Sequence, residues 1–428
     1  KISIGFLALA AAALWFTSCS SEDVASGTNQ GKMSSLTLTI NTGKSMGSRA
    51  TDWTTTDPAG NENDINRITV GIFSADGNTL RTIVELASGT GTDNTFKPET
   101  NGASTTIVTN SLTDGDLIKV AVNAPKGHFV GIKTANDFMN KSEEAKDALL
   151  TKADDSKETT KEACNNNVPM YGEGTLTPKN SGDNSVFKAV SGGADKVTVK
   201  HMLAKVTLES LKVDFKAGSA YANAEFTPVA AFLINVPDKM DFTTAVWNSS
   251  AALLHGWSAY DTSDATNCTF SYAAGNTGGS GTYAQYLTTE GLTSATALSG
   301  TATSTAKAWF YTLPNNRVDD GAAVTNNTKL VIAGKFTENK SATSPKTEMV
   351  YYSLPINATY KASSHKYEKP TGGDGSVFQV CPNQNYKCSV VIRTKGSSTP
   401  NTNLTPQEAE IKVEVTNFVD VSQDAEFN

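Results

Sequence analysis

The stretch Leu36-Thr-Leu38-Thr-Ile40 alternates apolar and polar side chains, and Ile411-Lys-Val413-Glu-Val415 repeats that pattern near the other end of the chain. A period of two places the three apolar side chains of each stretch on one face of a β-strand. The first stretch lies between polar, glycine-bearing segments (20–33 and 42–50), and a Ser/Pro/Asn-rich linker, 396–403, precedes the second. The sequence therefore predicts a strand at each end that flexible chain joins to the body.

Between these ends, strand patterns recur about every dozen residues and are separated by turn residues such as Asp76-Gly77. They cover residues 68–73, 82–84, 106–108, 117–122, 196–208, 230–236, 308–311, 329–333, 349–352 and 387–392. This spacing predicts an all-β protein with one β-sandwich domain over 50–212, closed by a long strand at 196–208, and a second over 213–403. Helical spacing of apolar residues over 135–152 predicts one short surface helix.

The composition is typical of an exported β-rich protein. The chain has 428 residues, of which 38% are hydrophobic and only 18% charged, and its net charge is −7. No basic cluster occurs, so we expect no nucleic-acid partner. Residues 260–306 are rich in Gly, Ser and Thr and predict long loops.

The N-terminal residues predict export. Lys1 precedes an apolar run at 4–15, and Thr17-Ser18-Cys19 follows it. This pattern is typical of a lipoprotein signal peptide over 1–19, with Cys19 acylated after cleavage. The alternative is a plain secretory signal with an incidental cysteine. Both interpretations place the protein outside the cytoplasm.

The remaining candidate sites favour neither a metal nor an enzyme. Cys164, Cys268, Cys381 and Cys388 allow two disulfides in three connectivities, but we expect mostly small buried side chains with at most one disulfide. They form no Cys-x-x-Cys pair and the histidines are scattered, so the sequence predicts no metal and no cofactor.

Three patterns resemble catalytic or binding motifs only superficially. Gly278-Gly-Ser-Gly281 lacks the spacing of a nucleophile elbow, and Asp374-Gly375 lacks the acidic spacing of a calcium loop. A pair of glycosidase carboxylates cannot be located from sequence spacing. We therefore predict no catalytic residue.

The two terminal strands suggest assembly. If the first strand is cut away, the sheet keeps an open groove, and unpaired strand edges are templates for another chain. The C-terminal strand of a second copy is a suitable occupant. Such head-to-tail contacts do not close on themselves and build a filament. The alternative is that each strand only completes the sheet of its own domain.

Several stretches, taken together in this order, resemble the fimbrillins, the type V pilins of Bacteroides- and Porphyromonas-like bacteria, and especially their major stalk subunits. The matching pieces are Cys19, Leu36-Thr-Leu-Thr-Ile40, Gly47-Ser-Arg49-Ala50, Ile65-Asn-Arg-Ile-Thr-Val-Gly-Ile-Phe73, Val120-Ala-Val-Asn123, Val168-Pro-Met170-Tyr-Gly172, Val197-Thr-Val-Lys-His-Met-Leu-Ala-Lys205, Tyr351-Tyr352, Ile356-Asn357, Asn385-Tyr386 and Glu410-Ile-Lys-Val-Glu-Val415.

The resemblance implies two transthyretin-like β-sandwich domains and a precursor anchored to the outer membrane by lipid on Cys19. It implies cleavage between Arg49 and Ala50 by an Arg-specific surface protease, which removes the propeptide 20–49 with its plug strand (Leu36, Leu38, Ile40). The segment 404–428 of a neighbouring copy then replaces the plug. Its donor residues are Ile411, Val413, Val415, Val419 and Val421.

These expectations predict a non-enzymatic stalk subunit of a cell-surface fimbria that supports adhesion. Its partners are other copies of itself, the protease, and the minor anchor and tip subunits. One alternative is a tip or anchor subunit of the same fimbria. Another is a surface glycan-binding lipoprotein that uses an aromatic platform of Trp247, Trp257 and Trp309. A secreted hydrolase is a distant third.

Overall fold

The fold is known from a computed structural model, and strands dominate it. The structure describes residues 33–42, 62–89, 94–99, 101–154, 156–157, 164, 166–242, 252–256, 284–290, 292, 296–305, 307–316, 326–361, 363–364, 366–400 and 409–417. The elements of the first half are β1 (Met33–Asn41), β2 (Arg67–Phe73), β3 (Leu80–Ser88), β4 (Thr95–Glu99), β5 (Gly102–Asn110), β6 (Leu117–Val122), α1 (Ala135–Met139), β7 (Ser142–Glu144), α2 (Ala145–Leu150), β8 (Met170–Pro178), β9 (Val186–Val190), β10 (Val197–Thr198) and β11 (Lys200–His201).

The second half is equally rich in strands. Its elements are β12 (Ala204–Val213), β13 (Glu225–Pro237), β14 (Lys239–Asp241), β15 (Leu253–His255), a 3₁₀ turn (Gln285–Leu287), β16 (Thr288–Glu290), β17 (Leu298–Ser299), β18 (Thr303–Ser304), β19 (Ala308–Thr312), β20 (Lys329–Thr337), β21 (Thr347–Pro355), β22 (Thr359–Lys361), β23 (Lys366–Glu368), β24 (Gln384–Ile392) and β25 (Ala409–Asn417). The expected all-β class is confirmed.

The first sheet closes on itself. Its path runs β10-β1-β5-β4-β3-β2-β6-β8-β11, and β9 pairs with both β8 and β1. The inward side chains form one core, which includes Leu36, Leu38, Val70, Val120 and Phe187. Alternation along β1 explains its place here, since every second residue from Ser34 to Ile40 is buried.

Two further sheets pack together in the second half. One has the order β18-β12-β24-β25, with β19 also on β12, and the other has the order β15-β13-β20-β21, with β16 and β17 also on β13. Side chains of both sheets, among them Val206, Tyr386, Leu233 and Ile332, share one core. This arrangement is a β-sandwich.

The predicted surface helix over 135–152 is wrong as a single element. Thr134 caps α1 with a capping box, and Asn140 ends it after five residues. Residues 142–144 then form β7, which pairs with β14 of the second half. Phe138, Ala145 and Leu149 are nevertheless buried. The tertiary pairing with β14 overrides the local helical pattern.

The run 196–208 also differs from the expected single strand. It divides into β10, β11 and the start of β12. The whole of β12 pairs with β19, β18 and β24, so it belongs to a sheet of the second half. The other predicted strands lie within β2, β3, β5, β6, β13, β19, β20, β21 and β24, which confirms them. Of the predicted loop region 260–306, the described residues include β16, β17 and β18.

Candidate functional site

Strand β1 lies inside the first sheet rather than at its edge. All nine of its residues pair antiparallel with β5, from Met33 opposite Asn110 to Asn41 opposite Gly102. On its other side β1 pairs parallel with β9 and β10. Leu36 and Leu38 are fully buried and Ile40 is 2% exposed. If β1 leaves, the sheet keeps an open slot lined by apolar side chains.

Gly102 lets the strand in the slot approach β5 closely. A Cβ atom at this position would lie 1.9 Å from the carbonyl oxygen of Ile40 and 2.9 Å from its carbonyl carbon. No side chain fits in that space, because carbon and oxygen cannot approach so closely. The backbones of β5 and the strand in the slot therefore approach closely at the Ile40 end of β1.

Glu62 is held by side chains from three places in the chain. Its carboxylate accepts hydrogen bonds from Tyr311 and from Lys205, whose Nζ lies 3.2 Å from Oε1. The backbone carbonyl of Glu62 accepts a hydrogen bond from His201 Nε2 at 2.9 Å. Burial lowers the pKa of His201 below its usual value, so the ring is held neutral.

The Glu62 anchor ties the first half to the second. Lys205 lies on β12 and Tyr311 on β19, and their side chains are both largely buried. His201 Nδ1 lies 3.3 Å from Asn383 Oδ1, immediately before β24. A partly buried ion pair with additional hydrogen bonds fixes geometry even where its net energy is small.

Strand β25 occupies the edge of the sheet beyond β24. It pairs antiparallel over nine residues, from Asn417 opposite Gln384 to Ala409 opposite Ile392. Val413 and Val415 are 4% and 6% exposed, while Glu414 between them is exposed. β25 thus presents the same inward alternation as β1, and a loop lies against it.

That loop, residues 370–376, is fixed by Asn357. The Asn357 side-chain amide donates to the carbonyls of Asp374, Ser376 and Gln379 at 3.1, 3.1 and 2.8 Å. Within the loop, a Cβ at Gly372 would lie 3.0 Å from the carbonyl oxygen of Val415. The loop therefore contacts the backbone of β25.

The structure describes part of the predicted site. Leu36, Leu38 and Ile40 lie in β1 of the first sheet, and Ile411, Val413 and Val415 lie in β25 of another, so the two sets are not brought together in one chain. Cys19, Arg49, Ala50, Val419 and Val421 lie outside the described residues.

Glu62, Lys205, Tyr311 and Gly102 were not singled out from the sequence. Only Gly102, after Asn101, carries a local signal, since an Asn-Gly pair favours a turn.

The cysteines in the described residues are buried. Cys164, Cys381 and Cys388 are at most 7% exposed. Burial raises the pKa of Cys381 to about 11 and that of Cys388 to about 12, so neither is a reactive thiolate at neutral pH. Cys268 lies outside the described residues.

Trp309 does not form an exposed aromatic platform. It is 4% exposed and packs in the core against Tyr311. Trp247 and Trp257 lie outside the described residues. Among the residues with a described position, no group of three or more His, Cys, Asp or Glu could hold a metal ion. No helix in that part of the chain is long and apolar enough to cross a membrane.

Comparison with known proteins shows which family part of this chain resembles. Residues 34–209 match the family model described as major fimbrial subunit protein (FimA). Over these residues the chain is similar to the fimbrillin family, which consists of structural fimbrial subunits. Fimbrial subunits are components of cell-surface fimbriae. No curated protein sequence matches the chain.

Solved structures share the fold over nearly the whole chain. A fimbrilin (FimA) from Porphyromonas gingivalis W83 is 17% identical with a TM-score of 0.56, covering 92% of this chain and 99% of that one. A proposed cell adhesion protein from Parabacteroides distasonis ATCC 8503 is 16% identical with a TM-score of 0.56, covering 91% and 100%. Another, from Bacteroides eggerthii DSM 20697, is 18% identical with a TM-score of 0.54, covering 92% and 98%. At these identities the likeness concerns the fold.

Proposed function

We propose that this protein is the stalk-forming subunit of a fimbria and that it polymerises by protease-triggered strand exchange. A cut after Arg49 separates β1, the plug strand, from the mature subunit that begins at Ala50. The β25 strand of a second copy then fills the slot. Each mature subunit consists of two transthyretin-like sandwich domains and donates one strand.

The position of β1 is the observation that carries this proposal. It completes a closed ring of strands, and it is joined to the downstream body only through the segment that contains Arg49. Burial of Leu36, Leu38 and Ile40 is worth roughly 1.5–3 kcal/mol per side chain. An empty slot is therefore unfavourable and favours a replacement strand.

Strand β25 supports the second half of the proposal. It is an edge strand on a polar linker, and its Val413 and Val415 alternate with exposed Glu414. The apolar residues of β25 alternate in sequence as those of the plug do, at Ile411, Val413 and Val415. Of these, Val413 and Val415 are buried. β25 can pair with β24 of its own subunit or fill the β1 slot of a neighbouring copy.

The need for a cut follows from effective concentration. The intact plug is joined to its own slot and rebinds faster than a strand from another molecule can bind. Cleavage removes this advantage. Lipid on Cys19 would hold the precursor at the outer membrane until an Arg-specific surface protease cuts it, and anchor and tip subunits would end the filament.

An unboiled SDS gel of the precursor beginning at Ser20, before and after an Arg-specific protease, tests the function. We expect SDS-resistant oligomers only after a cut at Arg49. The matched variants are Arg49→Ala, which an Arg-specific protease cannot cut at position 49, and Arg49→Lys, which trypsin cuts at that position and an Arg-specific protease does not. Assembly of uncut Arg49→Ala, or a single trimmed band from the wild type under every condition, would refute the proposal.

A further inference from the structure

The two ends of the cleavable segment are fixed at one place. Asn41, the last residue of β1, accepts a hydrogen bond from the backbone N–H of Val199 at 2.9 Å. Glu62 accepts one from His201 Nε2 at the same distance. Val199 and His201 are two residues apart, so their Cα atoms are separated by at most about 7 Å. Asn41 and Glu62, on either side of this segment in sequence, therefore both contact the short stretch 199–201.

Both flanks are held by contacts that do not involve residues 43–61. Upstream, the Thr42 N–H donates to the carbonyl of Asn101 at 3.2 Å. Downstream, Asn123 Nδ2 donates to the carbonyl of Asp64 at 2.8 Å, and Asn123 Oδ1 accepts from Asn66 N–H at 2.9 Å. A cut at Arg49 therefore removes no contact described for β1 or for its slot.

The two ends of β1 are held unequally. Ile40 and Asn41 pair with β5 on one side and with Val197 and Thr198 of β10 on the other. Among the described strands, Met33 and Ser34 pair with β5 alone, and pairing with β9 begins only at Ser35. The Met33 side chain is 59% exposed. Strands peel from the end that has fewer neighbours, because each step there breaks fewer hydrogen bonds.

We propose that cleavage leaves the plug strand seated, and that the β25 strand of a second copy displaces it from the Met33 end. This step rests on the proposed function and specifies how its exchange is controlled. The incoming strand first takes the place of residues 33–35, which pair with residues 108–110 of β5, where the Val108 side chain is 61% exposed. Cleavage permits exchange, and encounter with another subunit sets its rate.

Native mass spectrometry tests whether the plug fragment stays bound after cleavage. The sample is the full chain from Ser20, cut after Arg49. We expect the cut subunit to carry the 20–49 fragment at low protein concentration, and the rate of fragment loss to rise with subunit concentration. Leu38→Ala should shorten the lifetime of the seated fragment at least about tenfold, because it leaves a cavity in the core. Thr39→Ala, on the outward face of the same strand, is the matched control.

Two engineered disulfides, or staples, test from which end of β1 the plug strand is displaced. Ser35 lies opposite Val108 and Thr39 lies opposite Ser104. In the cut protein, Ser35→Cys with Val108→Cys should abolish association with a second copy until reductant is added. Thr39→Cys with Ser104→Cys should allow association while the fragment stays bound. Equal behaviour of the two staples would overturn the proposed direction.

The outcomes separate this inference from the function on which it rests. Fragment loss at a rate independent of subunit concentration would overturn the displacement step, even if SDS-resistant oligomers still form. Retention of the fragment at every concentration, with no oligomers, would refute strand exchange itself.

Discussion

At the scale of single residues, Gly102 determines how closely a strand fits against β5. A methyl group there would meet the Ile40 carbonyl at 1.9 Å. We expect Gly102→Ala to lower the free energy of unfolding of the uncut precursor by about 1–3 kcal/mol, as overpacking does. Urea denaturation measures this change. Gly182→Ala is the control, since Gly182 has φ +81° but nothing within 4 Å of the added atom. Equal losses would show that contact with β1 is irrelevant.

Glu143 makes the contact between β7 and β14 sensitive to pH. Its side chain is fully buried opposite Met240, its Oε2 makes no hydrogen bond, and burial raises its pKa from 4.5 to about 8, with Asp147 adding to the rise and Lys157 opposing it. The folded state therefore binds the proton more tightly than the unfolded state. Its contribution to stability is complete below pH 4.5 and is lost as the pH rises through about 8.

Glu143→Gln should accordingly stabilise the protein more at high pH than at low pH. The substitution removes a dependence of the unfolding free energy on pH. The slope of that dependence is at most about 1.4 kcal/mol per pH unit. Urea midpoints below pH 4.5 and above about pH 8 give the comparison. Glu144→Gln, a neighbour whose carboxylate is exposed and paired with Lys146, should leave the slope unchanged. A wild-type slope retained in Glu143→Gln would contradict this assignment.

At the scale of elements, the loop 370–376 holds β25 in place. Asn357→Gly keeps the left-handed backbone, φ +55°, but removes the hydrogen bonds to Asp374 and Ser376 in the loop and to Gln379 just beyond it. We expect faster hydrogen exchange of the β25 amides at 409–417, because the loop that contacts Val415 loosens. Asn94→Gly, at another positive φ (+51°) on an exposed turn, is the control. Unchanged exchange in β25 would show that the loop does not hold the strand.

Elements that the sequence predicts well are those whose pattern is local. Strict alternation identifies β1 and β25, because a period of two with one buried face has no helical equivalent. The prediction of one helix over 135–152 is wrong because β7 pairs with β14, about a hundred residues away in sequence. No local pattern indicates that pairing. The contacts of Glu62 could not be predicted from the sequence for the same reason. Its partners Lys205 and Tyr311 are 143 and 249 residues distant.

In the proposed strand exchange, each subunit accepts one strand in its slot and donates its own β25 strand. Accepting and donating can therefore be tested in different copies of the protein. Arg49→Ala keeps its plug but retains an intact β25. A second variant, Val413→Asp with Val415→Asp, can be cut but carries charges that cannot enter an apolar slot without a large desolvation cost.

Neither variant should polymerise alone. Mixed after cleavage of the second, they should form a heterodimer and nothing longer, because the Arg49→Ala copy fills one slot and offers none. Size-exclusion chromatography with light scattering measures the product. Added in increasing amounts to cut wild type, Arg49→Ala should shorten the oligomers by ending each chain at its open slot. Longer oligomers from the two variants, or wild-type oligomers of unchanged length, would mean that subunits are joined by some contact other than β25 in the β1 slot.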